Sequence, residues 1–497
     1  MTTFRSNVLI FLLLTIISGA MRFYCLGEWS FDLDELFTVL ETKILFNEMS
    51  VPEEYLKDGT VKAEETQLVR LPQMIFVSYF IHWVDYKLFG ENEFGTRVLT
   101  AVLGTLSIGV IFLMSRPILG FVGALVLSLL VMFLPEHILS SQCNRFYIQS
   151  FFMISVVLLL GYYVVIYRLL LLVFLLGLLA VVMIFTHSLS GLIWGGIAGG
   201  IVLDTIRSRI KGDKKIPPVR EKYTIIIIIL WSILILAIAI FYLMPLAAAW
   251  NKSLSWGYSP LHSVLSFINV IGWQFFLFSI LGICFSIFRV ADSGSVYWLF
   301  CVLVCGISIV ILPLMIIYNP NYNILFVFPF IVTASLFIQD IYFLILRSAL
   351  PCRYILAVSW ISACVMLNLP SVVSYYQDGN RHDNRAAFAY VSDNWKEGDR
   401  LTGFTMGTAE YYIPTRVPRI PLHIVPDKAI EDLQNIIDNN HNNTGRLWIV
   451  LQSSRGGLDN NLRKWLGKHA KFECRFTKKR FDYIENNVEI FLIDQQL

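Results

Sequence analysis

The chain has 497 residues, of which 56% are hydrophobic and 15% charged, with a formal net charge of +3. Apolar runs near twenty residues recur from the N-terminus to about residue 370, which a soluble core of this size does not contain, and a β-barrel would show short alternating segments instead. The expected fold class is therefore a polytopic α-helical membrane protein, and no nucleic acid is expected among its partners.

The first apolar run, Val8 to Gly27, follows one Arg and is not succeeded by a small-residue cleavage site, so it reads as an uncleaved first span. Residues 28–93 form a long polar and amphipathic loop with a strongly acidic middle (Glu53, Glu54, Asp58, Glu64, Glu65). Within it, 34–49 and 72–89 carry apolar residues at helical spacing and predict two helices lying at the membrane interface. Further spans are predicted over 95–115, 118–135, 147–166, 169–186, 188–206, 223–246, 263–288, 296–317, 322–345 and 354–371, giving about eleven crossings at roughly twenty residues each. The eight cysteines are scattered; Cys301 and Cys305 fall one turn apart in an apolar run, no metal-binding spacing is present, and a packing role is expected for most.

Orientation follows from the bias of Lys and Arg between the two sides. The segment Arg207, Arg209, Lys211, Lys214, Lys215, Arg220 and Lys222 is the most basic connection on the chain. It is expected on the cytoplasmic side, and counting spans outward puts Arg116, Arg168, Arg289, Arg347 and Arg353 there too. The protein is then a multi-pass plasma-membrane protein with a cytoplasmic N-terminus. The 28–93 loop, the turns near 136–146, 187, 247–262 and 318–322, and the C-terminal part face outward. Two glycosylation sequons, at Asn251 and Asn442, fall on that outer side.

After about residue 372 the composition changes in kind. Short β-rich runs (Arg400–Phe404, Leu447–Leu451, Val488–Ile493) alternate with helical stretches (Asn384–Trp395, Lys428–Asp438, Leu458–His469), which predicts a small extracytoplasmic α/β domain over 373–497 behind a membrane domain over 1–372.

The stretch after the first span, Glu28-Trp-Ser-Phe-Asp32-Leu-Asp34-Glu35, places three carboxylates within four residues. Carboxylates are costly to desolvate, so the cluster belongs at the water boundary. There it suits a bound cation, a proton acceptor or a helix cap. Other polar groups collect on the same side: Arg70, Glu136, His137, Arg145, His187, Asn319 and Asn321. Singly each fits an interface anchor or a cap; their shared sidedness suggests an active site or a transport vestibule.

In this order the motifs resemble those of GT-C glycosyltransferases, nearest to the family 39 and protein O-mannosyltransferase-like branch. Asp34-Glu35 after the first span is similar to that family's opening Asp-Glu pair. Arg70-Leu-Pro-Gln73 occupies the place of its basic-Pro-Pro segment. Phe89-Gly-Glu-Asn-Glu93 through Arg97 resembles its turn into the second span, and Ser140-Ser-Gln-Cys-Asn-Arg145-Phe-Tyr147 its Ser-Gln-Glu-x-Arg-x-Tyr stretch. Phe185-Thr-His187 is similar to a Tyr-Thr-His element, and Asp383-Asn-Arg385 to an Asp-Trp-Arg segment that opens the outer domain. The chain departs from the pattern at Cys143, where many members carry an acid, at Asn321-Tyr-Asn323, which replaces an Arg-Tyr, and in keeping a single proline, Pro72.

The resemblance implies a membrane glycosyltransferase, a hexosyl- or pentosyltransferase. Its donor is a sugar linked to polyprenyl or dolichyl phosphate; its acceptor is a hydroxyl of a glycan, lipid or protein. Asp34 is then the general base, with Glu35 as orienter or second ligand, and a single displacement inverts the anomeric centre. Arg70, Arg145 and His187 are the candidates to receive the leaving phosphate. Some members hold a divalent metal at the acidic pair; for Asp34 and Glu35, Mg or Mn would suit the carboxylates. The competing reading is a transporter or flippase of lipid-linked sugars. Such proteins tend to show internal repeats and midplane charges, and the sequence shows neither.

Overall fold

A computed structural model describes residues 2–49, 75–211, 218–238, 240, 259–288, 294–315, 320–378, 381–403, 406–413, 419–422, 426–438, 445–452, 460–479 and 485–494. Arg70, Asn319, both sequons and the acidic middle of the first loop lie outside these residues. The chain divides into two compact units, one of residues 1–24, 41–90 and 96–369 and the other of residues 25–40, 91–95 and 370–497. A boundary at residue 372 takes in most of the second unit, but the acidic stretch and the segment around Glu93 belong to that unit as well.

The first unit begins with α1 (Thr2–Phe23). It takes the last turn of α2 (Leu33–Leu45), then α3 (Phe76–Phe89), α4 (Val98–Met132), α5 (Pro135–Ser141), α6 (Tyr147–Tyr167) and α7 (Leu170–Thr186). It continues with α8 (Gly191–Ile210), α9 (Pro218–Ile238), α10 (Pro260–Ile271), α11 (Trp273–Phe288), α12 (Ser295–Met315), α13 (Val327–Arg347) and α14 (Arg353–Met366). Among the described residues eight helices are long and apolar enough to cross a membrane, or up to nine when the bent pair α10–α11 counts as one. This is a multi-pass membrane protein. Leu9, Ile16, Leu171, Leu230 and Leu344 are exposed on these helices, as side chains facing lipid should be.

Two breaks distinguish the helices from the predicted spans. The runs 95–115 and 118–135 are two helices within α4 that join across a kink at Gly120, whose φ of 74° only glycine adopts without strain. The run 263–288 is apolar throughout, yet α10 and α11 meet at 97°. Gly272, at φ 85°, makes that corner. Close packing elsewhere depends on small residues: a Cβ at Gly282 of α11 would sit 2.1 Å from the Thr333 carbonyl oxygen of α13, so the two backbones approach as only glycine permits.

Polar locks tie these helices together. The imidazole of His137 (α5) accepts at Nδ1 from the guanidinium of Arg22 (α1) at 2.9 Å, and its Nε2 meets Ser107 Oγ (α4) at 3.0 Å. Burial and the adjacent guanidinium push its pKa well down, so the ring is neutral with its proton on Nε2. At another point Arg168, capping α6 in the left-handed conformation, bonds Asp204 of α8 at 2.9 Å; Arg207 reaches the other oxygen at 3.2 Å. His137 is thus a packing residue.

The second unit contains a five-stranded sheet of β1 (Arg400–Gly403), β2 (Arg419–Pro421), β3 (Leu447–Gln452), β4 (Lys471–Lys479) and β5 (Glu485–Ile493), in the order β2-β1-β3-β5-β4. β1 runs parallel to β2 and β3, and β5 is antiparallel to both β3 and β4. Helices cover both faces. After α15 (Leu369–Asp378), α16 (Asn384–Asp393) and α17 (Met406–Tyr412) pack Phe388, Val391 and Ala409 against Leu401, Trp448 and Val450. α18 (Pro426–Asp438) and α19 (Asn460–His469) pack Leu433, Leu462 and Leu466 against Leu447, Ile449 and Leu451. Alternate residues of β3 therefore serve opposite cores, which is why this central strand is apolar throughout. The expected strands and helices are present; β2, three residues long, and β4, with charged residues along it, are additions.

Candidate active site

In the second unit the acidic stretch enters α2 through a capping arrangement. Asp32 stands at the N-cap, and Glu35, in the first turn, accepts the Asp32 backbone N–H at Oε2 over 3.1 Å. The same oxygen accepts from Arg381 Nη1 at 2.8 Å, with the two side chains 7% and 0% exposed. Helix cap and charged site therefore coincide in Glu35. A carboxylate so buried is held by its pairing with the guanidinium. Asp34, between them in sequence, is half-buried in the first turn, and its carbonyl accepts from Thr38 Oγ1 at 3.0 Å.

The backbone leading into this turn is fixed at several points. Ser30 Oγ donates to the His382 carbonyl at 2.6 Å and accepts from Asn384 N–H at 3.2 Å, while Asn384 Nδ2 donates to the Phe31 carbonyl at 3.0 Å. Phe31 N–H donates to Tyr412 Oη at 2.7 Å, and that hydroxyl donates to Glu93 Oε1 at 2.9 Å. Arg385 completes the knot with a 2.7 Å bond to the same Glu93 oxygen and a 3.1 Å bond to the Gly27 carbonyl. Burial pushes the Glu93 carboxyl up, but the Arg385 and Tyr412 hydrogen bonds outweigh it and hold the group below the ordinary carboxylate range.

A separate polar cluster forms in the first unit. Arg145 lies over the Phe146 ring, 4.7 Å from its centroid, and Phe146 in turn packs against His187 (4.6 Å between centroids) and Tyr147 (4.9 Å). Tyr322 closes the nest at 5.2 Å from His187. His187 Nδ1 accepts from the Leu189 backbone N–H at 3.2 Å, so a neutral ring carries its proton on Nε2. Burial and the Arg145 charge push this imidazole down to about 3. The His187 ring is therefore neutral beside the Arg145 charge. On the same unit Tyr79 (α3) donates to the buried carboxylate of Glu41. Burial and Glu41 push the Tyr79 phenol well up, and the nearby Arg145 guanidinium draws it back.

The structure brings Glu35 together with Arg381 and Arg145 together with His187; Asp34 is the sequence neighbour of Glu35, and Arg70 lies outside the described residues. Sequence reasoning passed over Arg381, Glu41 and Tyr79. Arg381 carries a local signal, since Arg381-His-Asp383 is a run of titratable residues soon after the last apolar segment. Glu41 and Tyr79 look in sequence like ordinary residues of amphipathic helices.

A metal at the acidic pair would need both carboxylates turned to it. Glu35 Oε2 is already neutralised by Arg381 and bonded to a backbone N–H, so the pair does not fit a two-carboxylate site. Among the described residues no group of three or more His, Cys, Asp or Glu stands close enough to hold an ion.

No protein-family model and no curated protein matches the chain in sequence. Among solved structures the chain is similar to ArnT from Cupriavidus metallidurans in the apo state, with a TM-score of 0.53 at 12% identity over 99% of this chain and 98% of that one. ArnT from the same organism bound to undecaprenyl phosphate gives a TM-score of 0.48 at 12% identity over 98% of each chain. The likeness to the apo structure is one of fold, extending over nearly the full length of both proteins. The chain shares the fold of that structure, a polytopic helical membrane part with a small C-terminal sheet.

Proposed function

We propose that this protein is an integral-membrane glycosyltransferase of the family 39 and protein O-mannosyltransferase-like kind. It moves a sugar from a polyprenyl- or dolichyl-phosphate donor to a hydroxyl acceptor on the outer face of the membrane, where the C-terminal part also lies. The observation that carries the reading is the division of labour in the first turn of α2. Glu35 is buried, capped and paired with Arg381, which supports a role in fixing the turn and supports the assignment of the half-buried Asp34 beside it as the proton acceptor.

In the reaction Asp34 accepts the acceptor's hydroxyl proton as that oxygen bonds to the anomeric carbon. The bond from this carbon to the phosphate oxygen breaks on the opposite side, and polyprenyl phosphate leaves with the electron pair. One displacement inverts the centre. Charge grows on the departing phosphate; Arg145 is assigned to meet it as a cation, His187 as a neutral donor through Nε2, and Arg70 as a further cation. The pairing of Glu35 with Arg381 supports a reaction that needs no metal at Asp34 and Glu35.

The test is transfer of radiolabelled sugar from polyprenyl-phosphate sugars by the purified full chain, followed as label appearing in membrane glycans. Wild type is expected to transfer. Asp34→Asn, isosteric and unable to accept the proton, is expected to lose about 10²–10⁴-fold while melting at the wild-type temperature. Undiminished transfer by Asp34→Asn would remove Asp34 as the base.

A further inference from the structure

Beside the paired Glu35 and Arg381, the second unit has an open cleft of about 200 Å³ lined by Glu28, Trp29, Arg381, His382, Asp383 and Lys478. We propose that this cleft binds one neutral sugar ring, and that the ring is the acceptor's. The second half of the proposal rests on the reading of Asp34 as general base.

The charge balance of the lining argues for a neutral ligand. The acceptors Glu28 and Asp383 stand with the donors Lys478 and Arg381, and the Arg381 charge is already taken up by Glu35, so no excess of cations faces the cleft. A phosphate site would show an excess of cations and a metal site an excess of carboxylates. A balanced set of donors and acceptors instead suits hydroxyl groups, each of which both donates and accepts. Trp29, which also packs against Tyr375 at 6.4 Å between centroids, borders the cleft. The volume lies below the roughly 300–1,000 Å³ of pockets for drug-sized ligands, as a site for a single ring should.

The cleft is also preformed. Ser30, through its bonds to the His382 carbonyl and the Asn384 N–H, fastens the strip that carries Glu28 and Trp29 to the strip that carries Arg381 and Asp383. One oxygen of Asp383 caps α16 through Ala386 N–H at 3.2 Å, and the other stands 3.6 Å from Lys478, a loose pair that a hydroxyl can enter. The connection to the chemistry is Arg381, which lines the cleft and holds Glu35 next to Asp34. A ring seated here has its hydroxyls beside the turn that carries the base.

The experiment is saturation-transfer NMR on the full chain in lipid nanodiscs with the methyl glycosides of glucose, mannose and galactose, without any donor. At least one glycoside is expected to bind the wild type. Glu28→Gln and Lys478→Met, both at partly exposed positions, are each expected to weaken it about tenfold. Binding of none of the three glycosides, binding unaffected by both cleft variants, or displacement of the glycoside by stoichiometric inorganic phosphate would each overturn the proposal. Glycoside binding by a protein that transfers no sugar from any donor would keep the saccharide site and remove its role as acceptor subsite. Transfer without glycoside binding would keep the glycosyltransferase reading and remove the saccharide site.

Discussion

Arg381 Nη1 stands 2.8 Å from Glu35 Oε2, although 346 residues separate the two in sequence. Both are buried, so removing one partner strands the other's charge, at a cost of about 3–5 kcal/mol. Arg381→Met and Glu35→Gln are therefore each expected to lower the melting temperature of the purified chain, and the two combined, which removes both charges, to recover most of the loss. The four proteins of this cycle give the coupling energy directly. Single variants that melt with the wild type would mean that the pair does not hold the turn.

Acid should loosen the second unit before it affects the helices of the first. Glu93 is held below its ordinary value by Arg385 and Tyr412 against the opposing effect of burial. Asp399 is likewise held down, against burial, by Arg446 and Trp448. A carboxyl with a depressed folded-state pKa contributes stability that is complete above its unfolded value of about 4. That stability disappears as the pH falls through the lower folded-state value. Near-ultraviolet circular dichroism of the full chain is expected to change below about pH 4, and in Glu93→Gln the Glu93 share of that pH dependence should vanish. Equal acid sensitivity in the variant would contradict the assignment.

Much of this organisation is legible in the sequence because it depends on local pattern. Apolar runs announce the helices, the alternating composition after residue 372 announces the sheet, and three carboxylates within Asp32–Glu35 mark a special turn. The bend between α10 and α11 is hidden because hydropathy is continuous across it, and one glycine with positive φ makes the corner. β4 is masked by the charges of Lys471–Lys479. Arg381 and Arg385 are invisible as partners because nothing in sequence says that they return to Glu35 and Glu93. The composition of the 28–35 stretch is likewise silent on which carboxylate meets Arg381; the hydrogen bonds of the folded chain assign that role to Glu35.

Chelation tests the reading of the acidic turn. With Glu35 Oε2 bonded to Arg381 and to Asp32 N–H, the turn lacks the two-carboxylate grip on which oxygen-loving cations rely. Sugar transfer is expected to survive dialysis against EDTA and to gain nothing from added Mg²⁺ or Mn²⁺. Activity lost to EDTA and restored by either ion would require Glu35 to leave Arg381 during turnover.

The charge cluster at Asp204 gives a prediction for the first unit that is independent of the chemistry. Asp204 accepts from Arg168 at 2.9 Å and from Arg207 at 3.2 Å, and it is fully buried. Arg168 itself is 1% exposed and also donates to Thr205. The cluster lies where α6 ends and α8 is in its last turns, with Gly294, just before α12, donating its N–H to the same aspartate at 3.4 Å. Asp204→Ala leaves a buried guanidinium without its counter-charge in surroundings that offer little water, so it is expected to cost about 3–5 kcal/mol. Arg207→Ala leaves Asp204 its bond to Arg168 and is expected to cost less than Asp204→Ala. The measurement is the fraction of protein still monodisperse after heating in detergent, compared across wild type, both single variants and Arg168→Met with Asp204→Leu. If the cluster is a structural anchor, the apolar double variant stays near wild type in stability and in sugar transfer. If that variant is stable but no longer transfers sugar, the buried charges serve turnover as well as packing.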